Sequence, residues 1–248
     1  VAELAKKPAN ITTVIVEEKL TPPWKEAWIS FYKNRLALVG LGIVVFFIII
    51  AIIAPIIAPY SYKEQVLTDR MLPPSSNHWF GTDDFGRDIF SRIVYGARIS
   101  LWVGFFSVLG SVVAGTFLGI IAGYYGRWVD AIISRIFDIM LAFPSILLAI
   151  AVVSILGPSL QNALIAIAVI NIPNFGRLVR SKVLSVKQEE YIMAARAVGM
   201  KDSRILLRHI LPNSISPVIV QATLAIATAI IEAAALGFLG MGAQAPTP

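Results

Sequence analysis

Residues 186–212, VKQEEYIMAARAVGMKDSRILLRHILP, form a charged, Ala-rich segment between two apolar runs. The spacing predicts two short helices. Ser185, with Gln188 three residues on, makes a capping box to open the first. Gly199 is placed to close it, since glycine takes the left-handed position after a helix without penalty. Asp202 is placed to cap the second helix, and Pro212 marks where it gives way to the next element. On the first helix Tyr191, Ala194, Ala195 and Val198 share one face. That face is shallow, because Ala194, Ala195, Ala197 and Gly199 carry almost no side chain. Another protein's surface can therefore approach the backbone closely. The segment reads as a docking element held at both ends by membrane helices. The plainer reading is a solvated linker between them.

The rest of the chain sets that segment in a bilayer. Of 248 residues 57% are hydrophobic and only 15% charged, and the mean hydropathy is +0.76. Soluble domains are about half apolar or less, so the chain reads as an integral membrane protein, and its long apolar runs, taken in turn below, make it all-α and polytopic. The net charge of +6 comes from 21 basic and 15 acidic groups. Its basic residues cluster beside apolar runs, which points to orientation in the membrane rather than to nucleic acid. The absence of cysteine excludes disulfides, thiolate metal sites and cysteine nucleophiles.

Outward from the docking segment, the apolar runs predict five spans. The first is 36–58, uncharged and long enough for a hydrocarbon core of about 30 Å. It lies too far from the start, and runs too long, for a signal peptide. The second covers 99–123, where Gly115, Gly119 and Gly123 recur every fourth residue as a packing seam. The third covers 132–156, with Arg135 and Asp138 spaced to pair and Pro144 placed to kink it. The fourth is short, 160–176, with Asn171 and Pro173 interrupting its end. The fifth covers 214–240. Ahead of the first, Trp24–Arg35 suits a helix lying at the headgroup level, and an ordinary juxtamembrane linker stays open as the alternative. The polar stretch 60–95 contains Asp83, Asp84 and Asp88. Their spacing does not follow the calcium-loop pattern, so turn and capping roles are expected, and 88–100 leads into the second span as an amphipathic approach.

The expected layout is a cytoplasmic tail and interfacial helix at 1–35, a first span at 36–58 and an outer loop at 59–98. A core at 99–240 follows, carrying the docking segment, and 241–248 forms an outer end. Residues 177–209 hold eight Lys/Arg against three acids, and the region near Arg35 is also basic. Both are expected in the cytoplasm, the N-terminus included. Counting crossings places them on the same side and separates His78 from His209.

No phosphate loop of the GxxxxGK[S/T] type and no nucleophile elbow or HExxH motif occurs, so no catalytic residue is assigned. A transport protein of this kind draws on a gradient or on a partner. Glu232 is the carboxylate deep in an apolar span, and with Asn171 and Gln221 it is a candidate for a translocation path. Pairing between helices and direct contact with a solute are both open to Glu232 and Asn171. A gradient-driven carrier or channel, and a scaffold that moves no solute, stand as competing classes.

Ala194-Ala195-x-x-x-Gly199, followed after eleven residues by Leu211-Pro212, resembles the EAA motif of ABC-importer membrane subunits. Met193 stands where the consensus has Glu, and His209 where it has Ile. HWFGTDDFGRDIFSRIVYGARISL (His78–Leu101), DIMLAFPS (Asp138–Ser145), RHILPNS (Arg208–Ser214) and ALGFLGMGAQAPTP (Ala235–Pro248) resemble the second, C-type permease subunit of dipeptide/oligopeptide/nickel importers. That resemblance implies a type I, MetI-like transmembrane domain with cytoplasmic coupling helices and a sixth span beyond the five. It implies that Glu190, Tyr191, Ala194, Ala195, Arg196, Gly199, Asp202 and Arg204 couple to an ATPase. The implied partners are a second homologous permease, two cytoplasmic ATPase subunits using ATP and Mg, and an extracytoplasmic substrate-binding protein. The implied solutes are short peptides, or alternatively nickel or another small solute, crossing the cell membrane.

Overall fold

The computed structural model describes residues 23–244 and residue 247. The polar tail expected before residue 23, and residues 245, 246 and 248 of the expected outer end, lie outside them. The described elements are helices and loops, with one isolated bridge between Thr82 and Asp88. The chain divides into two units between Phe46 and Phe47.

In the first unit, α1 (Pro23–Lys33) ends at Asn34, whose side-chain oxygen accepts the backbone N–H groups of Leu36 and Ala37 at 3.0 and 3.3 Å. That amide caps the start of α2 (Arg35–Ile57) and satisfies two of its orphan donors. On α1, Trp28 stacks on Phe31 at 6.1 Å and meets Tyr32 edge-on at 5.2 Å. Large apolar side chains of α2 are exposed from Leu36 to Ile49, which a helix surrounded by acyl chains tolerates and one in water does not.

The second unit is built on α3 (Ile89–Tyr125) and α6 (Leu160–Val186). Gly115, Gly119 and Gly123 are buried in the line of contact. A Cβ added at Gly115 would lie 2.6 Å from that of Phe175, one at Gly119 2.9 Å from that of Val179, and one at Gly123 2.9 Å from that of Val183. The glycine stripe is thus a seam of backbone-close packing, as its spacing predicts. Ser107 and Ser111 extend it toward the N-terminus, and Ser111 donates to the Ala168 carbonyl across the seam at 2.9 Å. Pro173 does not end α6. It is buried, and the helix runs ten residues past the expected stop at Gly176. The nearby carbonyls of Ile167 and Ala168 receive side-chain donors from Asn171 and Ser111, and the α3 contact holds the helix together across the missing N–H.

The expected third span is broken rather than kinked. α4 (Arg127–Ala142) and α5 (Ser145–Leu156) meet at 99°. Phe143 sits in the extended region, as a residue before proline prefers, and Pro144 opens α5. Asp138 does not use Arg135. It pairs with Arg177 of α6, while Asp130 takes Arg180 one turn further on. Four of the described helical stretches are long and apolar enough to cross a membrane, or five if the bent pair is one span.

Between α2 and α3 the chain forms a tied loop. Asp88 caps α3 through Ser91 N–H at 2.8 Å and holds His78 Nδ1 at 3.0 Å, and His78 stacks on Tyr60. Asp83 accepts Phe85 and Arg87 N–H at 2.8 and 3.0 Å and pairs with Arg87 and Arg92. Burial raises the Asp83 pKa, but those backbone donors and the Arg87 guanidinium outweigh it and hold the carboxyl below its ordinary value. Asp83 and Asp88 thus fill the expected turn and capping roles. The second span is longer than its apolar run, because α3 takes in the amphipathic approach and begins at Ile89.

Candidate functional site

The docking segment differs from its two-helix expectation. Ser185 lies inside α6, and the first short helix is α7, Glu190–Ala197, with Glu189 ahead of it making no side-chain cap. Its end matches the expectation. Gly199 has φ +78°, its N–H donates to Arg196 O at 2.9 Å, and Met200 N–H donates to Ala195 O at 3.0 Å. Those two bonds make a Schellman turn, with Met200 and Ala195 both packed in the core. The second helix is not separate. α8 (Asp202–Ile205) passes through one wide π turn, Leu206–Ile210, straight into α9 (Leu211–Phe238). Pro212 lies in the first turn of α9, and the wide turn ahead of it makes room for a ring that would clash with an ordinary helical carbonyl.

Burial divides the face of α7. Ile192 and Ala195 turn inward, at 0% and 8% exposure. Tyr191, Ala194, Val198 and Gly199 are exposed, with Glu190, Arg196, Asp202 and Arg204. The sequence put Ala195 on the open face. It belongs instead to the buried side, because Ile192 at i−3 draws that edge of the helix into the core.

Tyr124, at the end of α3, ties the segment to the body. Its hydroxyl bonds to the Asp202 carboxylate, and its carbonyl accepts Lys187 Nζ at 2.5 Å. Arg196 lies over its ring at 5.1 Å, a favourable cation–π distance. Asp202, expected to cap a helix, is the first residue of α8 and serves as this anchor. Nothing local to Tyr124 signals that role, because its partner is 78 positions away. Asn213 of α9 donates to the Tyr191 hydroxyl at 3.3 Å. The segment is thus fixed to α3, α6 and α9 while its small-residue face stays open.

Asn171, Gln221 and Glu232 come together. They line one cavity of about 350 Å³ between α6, α9 and the bend of α4 and α5. Asn171 Nδ2 donates to Glu232 Oε2 at 3.3 Å and to Ile167 O at 3.0 Å. Ser145, Asn174 and Thr228 add further polar groups to the wall. The sequence did not single these out, since on their own helices they look like ordinary polar interruptions. In volume the cavity lies within the range of small-molecule sites, roughly 300–1,000 Å³. The histidines are apart, with His78 in the tied loop and His209 in the π turn near Tyr191.

Residues 115–248 match the model for the binding-protein-dependent transport system inner membrane component. Residues 22–74 match the N-terminal transmembrane domain of oligopeptide transport permease C. The dipeptide transport system permease protein DppC of Alkalihalophilus pseudofirmus is 69% identical over 226 residues, 91% of this chain and 74% of that protein. The DppC of Haemophilus influenzae is 48% identical, covering 91% and 79%. The glutathione transport system permease protein GsiD of Escherichia coli is 47% identical, covering 96% and 79%. In fold, an inward-facing MetNI methionine ABC transporter aligns with TM-score 0.55 at 24% identity, over 62% of this chain and 77% of that one. The chain has the MetI-type all-helical membrane fold. It belongs to the binding-protein-dependent inner membrane component family, as a multi-pass C-type permease subunit of a peptide-family ABC importer.

Proposed function

We propose that this subunit forms half of a pore for short peptides and is driven through α7 by a cytoplasmic ATPase. The observation that carries the proposal is the open, small-residue face of α7, held between α6 and α9 and set against Tyr124 of α3 through Arg196, with Asp202 of α8 bonded to the same tyrosine. Glu190, Tyr191, Ala194, Arg196, Gly199 and Arg204 offer the contact surface. Ala195 and Asp202 hold that surface in place. ATP and Mg belong to the ATPase subunits. A second homologous permease completes the pore, and an extracytoplasmic binding protein delivers the solute above the tied loop.

In this reading the N-terminus and α7 are cytoplasmic, in keeping with the basic residues near Arg35 and over 177–209. Movement of the docked segment passes from α7 across residues 198–201 into α8, from there without a break through the π turn into α9, and into α6 across a three-residue link. The Asn171–Gln221–Glu232 cavity lies on those two helices and forms part of the passage. Short peptides are favoured over nickel because the relatives at 47–69% identity are named for dipeptide and glutathione transport.

Ala194→Glu tests the coupling. Bulk and charge on the open face hold the two surfaces apart while the buried side stays unchanged. The expected result is at least a tenfold loss of ATP-driven peptide uptake in vesicles, with normal membrane insertion and an unchanged melting temperature. Full uptake by this variant contradicts the proposal.

A further inference from the structure

The cavity between α6 and α9 holds one ionisable side chain, Glu232, among otherwise neutral lining residues. Among the described residues no ion pair reaches it. The nearest guanidiniums along α6 are already committed, Arg177 to Asp138 and Arg180 to Asp130. Asn171 donates one N–H to Oε2. The Ser145 hydroxyl is a second side-chain partner; a carboxylate accepts about four hydrogen bonds, so these two donors leave about half of its capacity unused. A carboxylate at membrane depth is costly unless a cation or several donors meet it. Here the protein supplies one amide, one hydroxyl and an open space, and no cation.

The neighbours fit a small polar solute. Gln221 and Thr228 stand on α9 at i−11 and i−4 from Glu232, close to the same helical face. Asn174 lies 3.5 Å from the Asn171 side-chain oxygen, which links the α6 amides in a row ending at the carboxylate. Leu148, Ile170 and Leu224 are among the apolar residues of the wall. Amides and a hydroxyl match the peptide unit of a solute, and the unpaired carboxylate matches its cationic end.

We propose that Glu232 is a selectivity residue of this cavity, receiving the primary ammonium end of a short solute while Asn171 and Gln221 meet its amide groups. The proposal rests on the cavity being part of the passage. It adds the charge and chemical class of what passes, and it gives the permease its own discrimination apart from the binding protein. The ammonium can come from a peptide N-terminus or a lysine side chain, which present the same donor geometry.

The chain has no cysteine, so Thr228→Cys places a single reporter one turn from Glu232. The complete importer is reconstituted with this variant, and modification of this chain is followed by mass, using cationic and anionic thiosulfonate reagents of equal size. The cationic reagent is expected to react about tenfold faster, and adding Glu232→Gln to bring the two rates together. A lysine-free dipeptide with a free N-terminus slows modification, and its N-acetylated form does not. Protection by an N-acetylated lysine peptide would assign the ammonium to the side chain instead. Leu224→Cys, on the same wall, repeats the comparison if Thr228→Cys does not assemble. A reagent ratio unchanged by Glu232→Gln, or equal protection by free and fully blocked peptides, overturns the proposal. ATP-driven uptake by the wild-type importer is measured on the same vesicles. Uptake with an unchanged ratio removes the ammonium site alone, and absence of uptake removes the permease reading with it.

Discussion

Helix α6 has two working faces built on opposite principles. Toward α3 it meets glycines and serines, and the two backbones approach until an added methyl has no room. Toward α9 it meets Gln221, Thr228 and Glu232 across an open cavity. The first face gains dispersion contacts and holds its geometry. The second leaves polar groups partly unsatisfied and space unfilled. A transporter needs both, since a passage that opens and closes must be carried on something that does not deform. The C-terminal end of α6 leads through a three-residue link into α7, so one helix carries a wall of the cavity and reaches the segment proposed for docking.

The contrast breaks most readily at the seam. Gly119→Leu is expected to abolish stable protein. The milder Gly119→Ala should cost about 1–3 kcal/mol, because its methyl meets backbone atoms of Gly176 and Arg180 that cannot move aside. Thermal unfolding in detergent measures both. Thr228→Ala, on the cavity face, should cost under about 1 kcal/mol, since its hydroxyl bonds only within its own helix. Equal costs at the two faces would erase the distinction.

A smaller effect is expected at the anchor between α3 and the docking segment. Tyr124→Phe removes the hydroxyl from Asp202 and keeps the ring under Arg196. A loss of about 1 kcal/mol is expected, together with reduced peptide-stimulated ATP hydrolysis at near-normal ATPase binding. A double-mutant cycle with Asp202→Asn should recover most of that loss as coupling between the two residues. Strict additivity would show that Tyr124 does not act through Asp202.

The smallest effect belongs to the tied loop. Asp83 is held below its ordinary pKa in the folded protein. Its stabilisation is therefore fully present above the unfolded value, about 3.9, and is lost as pH falls through the folded value. Protection factors of residues 66–88, the exchange rates divided into their intrinsic values at each pH, should be steady above about pH 5 and fall in more acid solution. Asp83→Asn should remove that acid dependence.

These comparisons also mark what was legible in the sequence. The glycine seam could be read because its signal is a repeat on one helix, and the Gly199 stop because it depends on one residue's φ. The cavity trio could be named because polar residues in apolar spans stand out. The long-range features were hidden. Proline was a poor guide in both directions. Pro173 sits in an unbroken helix because α3 packs across it, and Pro144 opens a 99° corner where a kink was expected. The side on which Ala195 falls was set by Ile192 and the core. The Tyr124 anchor and the two Asp–Arg pairs from α4 to α6 depend on residues 39 to 78 positions apart, which local patterning does not report.

The central claim is that α7 is a cytoplasmic docking face, and one cysteine tests it. Ala194→Cys in this cysteine-free chain is exposed to a membrane-impermeant thiol reagent in intact cells, then in inverted vesicles with and without the bound ATPase. The account predicts no labelling from outside, rapid labelling from inside, and protection when the ATPase is bound. Labelling of intact cells, or inside labelling that the ATPase leaves unchanged, would contradict it.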